Sequence, residues 1–115
     1  MTHNMKLKPN PFAKIASGSK TIELRLYDDK RQQLSVGDTI IFTSMEDSGL
    51  QLKTRVVALH KFSSFRNLFE ALPMEACGYD SEMPVEDALV NIRRYYSEKR
   101  EEQYGVLGIE IQLLD

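Results

Sequence analysis

The sequence predicts an α+β fold: a small, mostly antiparallel β-barrel of five or six strands flanked by three or four helices, in a single domain over residues 1–115. Three observations predict it. Stretches of alternating apolar and polar residues follow one another without regular strand–helix alternation, so most strand pairings should be antiparallel. Two amphipathic helical stretches are gathered between residues 63 and 96, after the longest strand and before the last. The strands are long enough to close on themselves, which removes exposed edges.

The elements follow in order. Residues 3–8 alternate weakly, with Met5 and Leu7 against Lys6 and Lys8, and read as a first strand. Asn10 and Pro11 open a helix, Asn as its cap and Pro at the first helical position, where a missing N–H costs nothing. Phe12, Ile15 and Ala16 form its apolar stripe and Gly18 its left-handed end. A strand follows at 20–27. Asp28, Asp29, Lys30 and Arg31 make a charged, solvated loop tip. Ser35–Asp38 is a turn, and Thr39–Thr43 a buried strand. Asp47-Ser48-Gly49 turns the chain into a long strand over 50–62. Leu50, Leu52, Thr54, Val56, Ala58 and Phe62 share one face of it with His60, which reads as a partly buried, hydrogen-bonded side chain.

Ser63 or Ser64 caps a helix with Phe65, Leu68, Phe69 and Leu72 at helical spacing. Residues 74–83 read as a loop. Pro84 starts another helix, buried through Val85, Leu89, Ile92 and Tyr96, with Glu86 and Asp87 where the helix dipole favours them. Ser97 caps a short last helix, 98–103. The final strand follows Gly105, with Leu107, Ile109, Ile111 and Leu113 inward and Val106, Gly108, Glu110 and Gln112 facing the other way.

Composition excludes several classes. Net charge is −2, which argues against gripping duplex DNA by bulk charge. The charge is uneven: residues 1–31 carry seven Lys/Arg against three acidic residues, and the remainder is acidic. Cys77 is the single cysteine, which leaves no internal disulfide or cysteine metal cluster. No signal peptide, membrane span, metal site or cofactor motif is visible, so a cytoplasmic protein without a cofactor is expected.

The chemistry concentrates in Gly18-Ser19-Lys20-Thr21-Ile22-Glu23-Leu24-Arg25. Ile22, Leu24 and Leu26 face the core, while Glu23 and Arg25 share the opposite face, roughly 7 Å apart along the backbone. Lys20 sits at the turn before them. A cation, a carboxylate and a guanidinium on one strand suit a polar ligand with anionic character. A solvated cross-strand pair would have the same pattern.

These residues resemble the ASCH domain family, a branch of the PUA-like barrels. The resemblance rests on Gly18-x-Lys20-x-x-Glu23-x-Arg25 after a short helix, Val36-Gly37-Asp38 before a strand, Ser64-Phe65 opening a helix, and Tyr95-Tyr96-Ser97 leading to Tyr104-Gly105. It covers nearly the whole chain. It implies a cleft between barrel and helices that binds single-stranded RNA or a nucleotide, lined by Lys20, Glu23 and Arg25, with Ser64, Tyr96 and Ser97 as further wall residues. Lysine offers phosphate a point charge and arginine a planar fork. A carboxylate can accept from an exocyclic amine, and tyrosine offers a stacking face.

Some family members are enzymes. One group hydrolyses the amide of N4-acetylcytidine with a Lys and a Thr on this strand. Lys20 matches the Lys, but Glu23 stands in the place of the Thr, so no hydroxyl is there to be activated. Lys20 and Glu23 as an acid–base pair acting through water are the catalytic alternative, on a modified nucleoside or on RNA. For an RNA-cleaving site the counterparts would be Lys20, Tyr96 and Ser97. A protein partner on the acidic C-terminal helices is a further expectation.

Overall fold

The computed structural model describes residues 1–114. The elements run β1 (Thr2–Leu7), α1 (Pro9–Ser17), β2 (Ile22–Leu26), a 3-10 turn (Arg31–Gln33), β3 (Thr39–Ser44), β4 (Gln51–Phe62), α2 (Phe65–Ala71), α3 (Val85–Ile92), α4 (Glu98–Tyr104) and β5 (Val106–Leu113). Among the described residues there are five strands in the order β1-β3-β4-β5-β2, curled into a half-barrel. Three pairings are antiparallel. The exception is β1 with β3, which run parallel. The expected small, mostly antiparallel α+β barrel is what forms.

The sheet has a core on each face. Met5, Leu7, Ile15, Ile40, Phe42, Val56, Leu107, Ile109 and Ile111 fill the barrel side. Ile22, Leu24, Leu26 and Val106 pack on the other side against Phe65, Leu68 and Phe69 of α2 and Ala88 and Ile92 of α3. Strand β2 is therefore covered on both faces. In register with Ile109, Glu23 takes the barrel side, and Arg25 does so opposite Leu107. The alternation read from the sequence assigned these faces correctly.

Closure differs from the expected ladder. No strand pairing joins β1 to β2. Side chains bridge the seam instead: Arg25 Nη2 donates to the Lys6 carbonyl at 2.9 Å and Lys30 Nζ to the Asn4 carbonyl at 2.7 Å. These bonds satisfy edge carbonyls that would otherwise need water. Lys30 and Arg31 are thus not simply solvated; Arg31 pairs with Asp28 at 3.2 Å.

Other local expectations are corrected. Helix α1 starts at Pro9, one residue before Asn10, and its cap residue Lys8 makes no side-chain cap bond. Proline at the first helical position fixes φ and needs no N–H partner, so the helix starts without an Asn cap. Gly18 ends it at φ 85°, as expected.

In β4 a bulge between Val56 and Ala58 breaks the predicted single face. An extra residue reverses the facing of everything after it. Val57 is exposed, Leu59 joins the barrel core and Phe62 turns to the helix side. His60 is on that side too, 2.9 Å from Glu110. On β5, Leu113 is 42% exposed where an inward side chain was expected, because the strand runs past the core there.

Candidate ligand-binding cleft

The turn between α1 and β2 and the loop 74–83 build the cleft together. Backbone N–H groups of Thr21 and Ile22 both donate to the Ala76 carbonyl at 2.9 Å. Met74 and Cys77 are buried in the helix-side core, which anchors the loop. The loop then passes over Lys20 at Gly78. Gly78 has φ +93°, and a Cβ there would stand 2.9 Å from Lys20 Cδ. Only glycine meets both demands, the left-handed backbone and the close approach. Lys14 Nζ holds the same residue by its carbonyl at 2.6 Å.

Lys20 is fixed by this packing with its ammonium 2.8 Å from Glu23 Oε1. Arg25 Nε reaches Glu23 Oε2, also at 2.8 Å. Glu23 is only 5% exposed. Burial pushes its carboxyl pKa up, but the charges and hydrogen bonds of Lys20 and Arg25 outweigh that and hold it below its ordinary value. The carboxylate therefore stays ionised, with each oxygen engaged by a cation. The exocyclic-amine acceptor expected at Glu23 is already occupied by its own neighbours.

Above this triad opens a cleft of about 450 Å³, a volume within the range of small-ligand sites. Basic groups line it at Lys6, Lys8, Lys14, Lys20 and Arg25, against the single carboxylate of Glu23. The facing wall comes from the loop, α3 and the turn that follows α3: Cys77, Gly78 and Tyr79, then Asn91, then Tyr95 and Tyr96. Tyr79 donates its hydroxyl hydrogen to Asn91 Oδ1 at 2.8 Å and sets its ring edge-on to Phe69. Burial raises the Tyr79 pKa to about 12, so the phenol stays protonated. Burial also pushes the Cys77 thiol up to about 11, which makes it a poor nucleophile. Tyr96 stacks on Phe65 with centroids 5.6 Å apart. At the rim, Lys8 Nζ lies 4.6 Å above the exposed Tyr95 ring.

Of the residues singled out in the sequence, Lys20, Glu23, Arg25 and Tyr96 are brought together here. Ser64 and Ser97 are not on the cleft wall. Ser64 Oγ accepts from the Asn67 N–H at 3.1 Å and Ser97 Oγ from the Arg100 N–H at 3.2 Å, as N-caps of α2 and α4. Sequence reasoning did not reach Tyr79, Asn91 or Gly78. They fall in a stretch read as loop and on the polar side of a helix, where periodicity carries no signal. Lys6, Lys8 and Lys14 were foreshadowed by the basic charge excess of the N-terminal end.

Among the described residues no group of three His, Cys, Asp or Glu side chains is placed to hold a metal ion. Among the described residues, no helix is long and apolar enough to cross a membrane.

Comparison with known proteins agrees with the geometry. The crystal structure of the hypothetical protein PH0355 superimposes with a TM-score of 0.88 at 36% identity, covering 99% of this chain and 100% of that one. The solution NMR structure of protein PF0455 from Pyrococcus furiosus gives a TM-score of 0.78 at 36% identity, covering 100% of this chain and 99% of that one. No curated protein matches. The family model described as the ASCH domain matches residues 5–115. The chain belongs to the ASCH domain family, within the PUA-like superfamily.

Proposed function

We propose that this protein binds a nucleotide or a short single-stranded RNA in the cleft over Lys20, Glu23 and Arg25. The observation that carries this reading is the imbalance of the cleft walls: five basic side chains against one carboxylate whose two oxygens are already paired. A cavity of that kind keeps spare N–H donors for phosphate oxygens while its own acid is neutralised. Tyrosines at the wall and rim add faces on which an unpaired base can stack. The overall charge of −2 favours a local grip on a strand over a broad duplex footprint.

Titration of the protein with a short single-stranded RNA at several salt concentrations tests this. Lys20→Ala is expected to weaken binding and to lower the salt slope by roughly one. An unchanged affinity and slope would remove Lys20 from the site.

A second reading rests on the 2.8 Å contact of Lys20 with Glu23. Such a pair could act as acid and base on water, hydrolysing a modified nucleoside of the N4-acetylcytidine type or RNA. Arg25 on the same carboxylate works against it, since a base is most effective near neutral pKa and Glu23 is held low. Turnover of acylated nucleosides or RNA that disappears in Glu23→Gln would favour this reading over binding alone.

A further inference from the structure

We infer that Tyr79 and Asn91 read the base of the bound nucleotide, selecting the keto–imino edge of uracil or guanine over the amino edge of cytosine or adenine. The inference rests on the nucleotide-binding reading of the cleft and concerns its opposite wall.

Most of the hydrogen-bonding capacity on the cleft walls is already spent within the protein. Both oxygens of Glu23 are taken by Lys20 and Arg25. The Gly78 carbonyl receives Lys14. The Asn91 amide oxygen receives the Tyr79 hydroxyl hydrogen at 2.8 Å. Two things follow from that last bond. The Asn91 amide nitrogen keeps both N–H donors, and among the described residues it donates to no protein group. The Tyr79 oxygen has given up its hydrogen and can only accept from a ligand.

The pair therefore presents a donor beside an acceptor, both on the cleft wall. Uracil offers the matching pattern with O4 as acceptor and N3–H as donor. Guanine offers it with O6 and N1–H. Cytosine and adenine present the reverse, an amino donor beside a ring-nitrogen acceptor. Against Asn91 and Tyr79 they would set donor against donor and lone pair against lone pair. The rigidity needed for discrimination comes from packing: the Tyr79 ring is fixed edge-on against Phe69, with centroids 5.6 Å apart. Asn91 stands on α3, beside the buried Ile92.

The test compares wild-type affinity for pentauridylate and pentacytidylate at fixed salt. The expected preference for the uridine oligomer is about tenfold, the size of one well-made base-edge pair. Asn91→Asp keeps the oxygen that Tyr79 binds but replaces the donor with an acceptor. With two acceptors on the wall each base meets one match and one clash, so the uridine-to-cytidine affinity ratio should fall to about one, whatever the added charge does to both affinities. Tyr79→Phe keeps the ring on Phe69, frees the amide to turn, and should bring the ratio close to one. Lys20→Ala should lower both affinities alike and leave the ratio intact. Equal wild-type affinities for the two oligomers, or a ratio unmoved in both the Asn91 and Tyr79 variants, would overturn the base-reading role while leaving the phosphate grip standing. Absence of binding to either oligomer would overturn the nucleotide reading and this inference together.

Discussion

Two carboxylates in this molecule are equally hidden, and they are held in opposite ways. Glu23 and Glu101 are each 5% exposed. Glu101 accepts from the backbone N–H of Phe65, at the start of α2, and from Arg93 Nη2 at 2.6 Å. It ties α4 to the first turn of α2 and to the residue that ends α3. All three are scaffold, and a backbone donor cannot move away. Glu23 has no backbone partner. Its ligands are the side chains of Lys20 and Arg25, and those open onto a cleft. The contrast teaches how to sort buried charge. A carboxylate bound to main chain fastens elements together. A carboxylate bound only to cations holds them ready, and their spare donors are what a ligand meets.

The largest effect is expected at Glu101. Glu101→Ala would leave the Phe65 N–H without its acceptor and Arg93 Nη2 without its carboxylate, with only the exposed Glu98 remaining 3.8 Å from Arg93 Nε, and Arg93 Nη1 is already buried without a partner. Removing one member of a buried pair costs about 3–5 kcal/mol. We expect a loss of that size in a denaturant titration, with RNA affinity of the folded fraction unchanged.

Glu23→Gln sharpens the same contrast from the other side. The amide keeps the shape but loses the charge, so a smaller destabilisation of about 1–3 kcal/mol is expected. Anion and RNA affinity should rise, because two cations lose their counter-charge. A fall in both stability and affinity would make Glu23 a direct ligand contact. The pH dependence carries the same sign. The Glu23 pKa is lower folded than unfolded, so its contribution is fully present above the ordinary carboxylate range, about pH 4.3, and is lost as pH falls through the folded value. Denaturation midpoints measured from pH 7 to pH 3 should fall less steeply in Glu23→Gln than in the wild type.

The same two regions show what a sequence can carry. Strand alternation placed Ile22, Leu24 and Leu26 on one side and Glu23 and Arg25 on the other, because a two-residue period is local and strong. It could not show that the polar side would also be enclosed. That depends on Gly78 folding over Lys20 from nearly sixty residues away, and on Arg25 closing a seam to β1. The bulge at Val57 was equally invisible, since Val56 and Val57 are alike in character and only pairing with β5 reveals the extra residue. Tyr79 and Asn91 meet only after the loop and α3 have packed, so no spacing rule links them. The Arg93–Glu101 fastener is eight residues apart in the chain but is set by a helix-to-helix turn that periodicity does not describe.

The mildest effects are expected at the two serines that sequence reasoning placed beside the ligand. Ser64 and Ser97 satisfy helix N-terminal N–H groups and stand off the cleft wall. The wall reading required their hydroxyls to face the same cavity as Lys20, but each hydroxyl is turned back onto its own helix. Replacing a capping serine by alanine costs about 1 kcal/mol. Ser64→Ala and Ser97→Ala should each lower stability by that much, and affinity for single-stranded RNA should stay within error of the wild type. Ser64 is the sharper case, because α2 carries Phe65, on which the cleft residue Tyr96 stacks. A cap lost there loosens the first turn beneath Tyr96. Even so, the stacked ring is held by the core on its other side, and Phe65 keeps its Glu101 acceptor. A binding defect in Ser64→Ala larger than its stability loss would therefore mean that the hydroxyl reaches the ligand, and the division between fastener and site would have to be redrawn at α2.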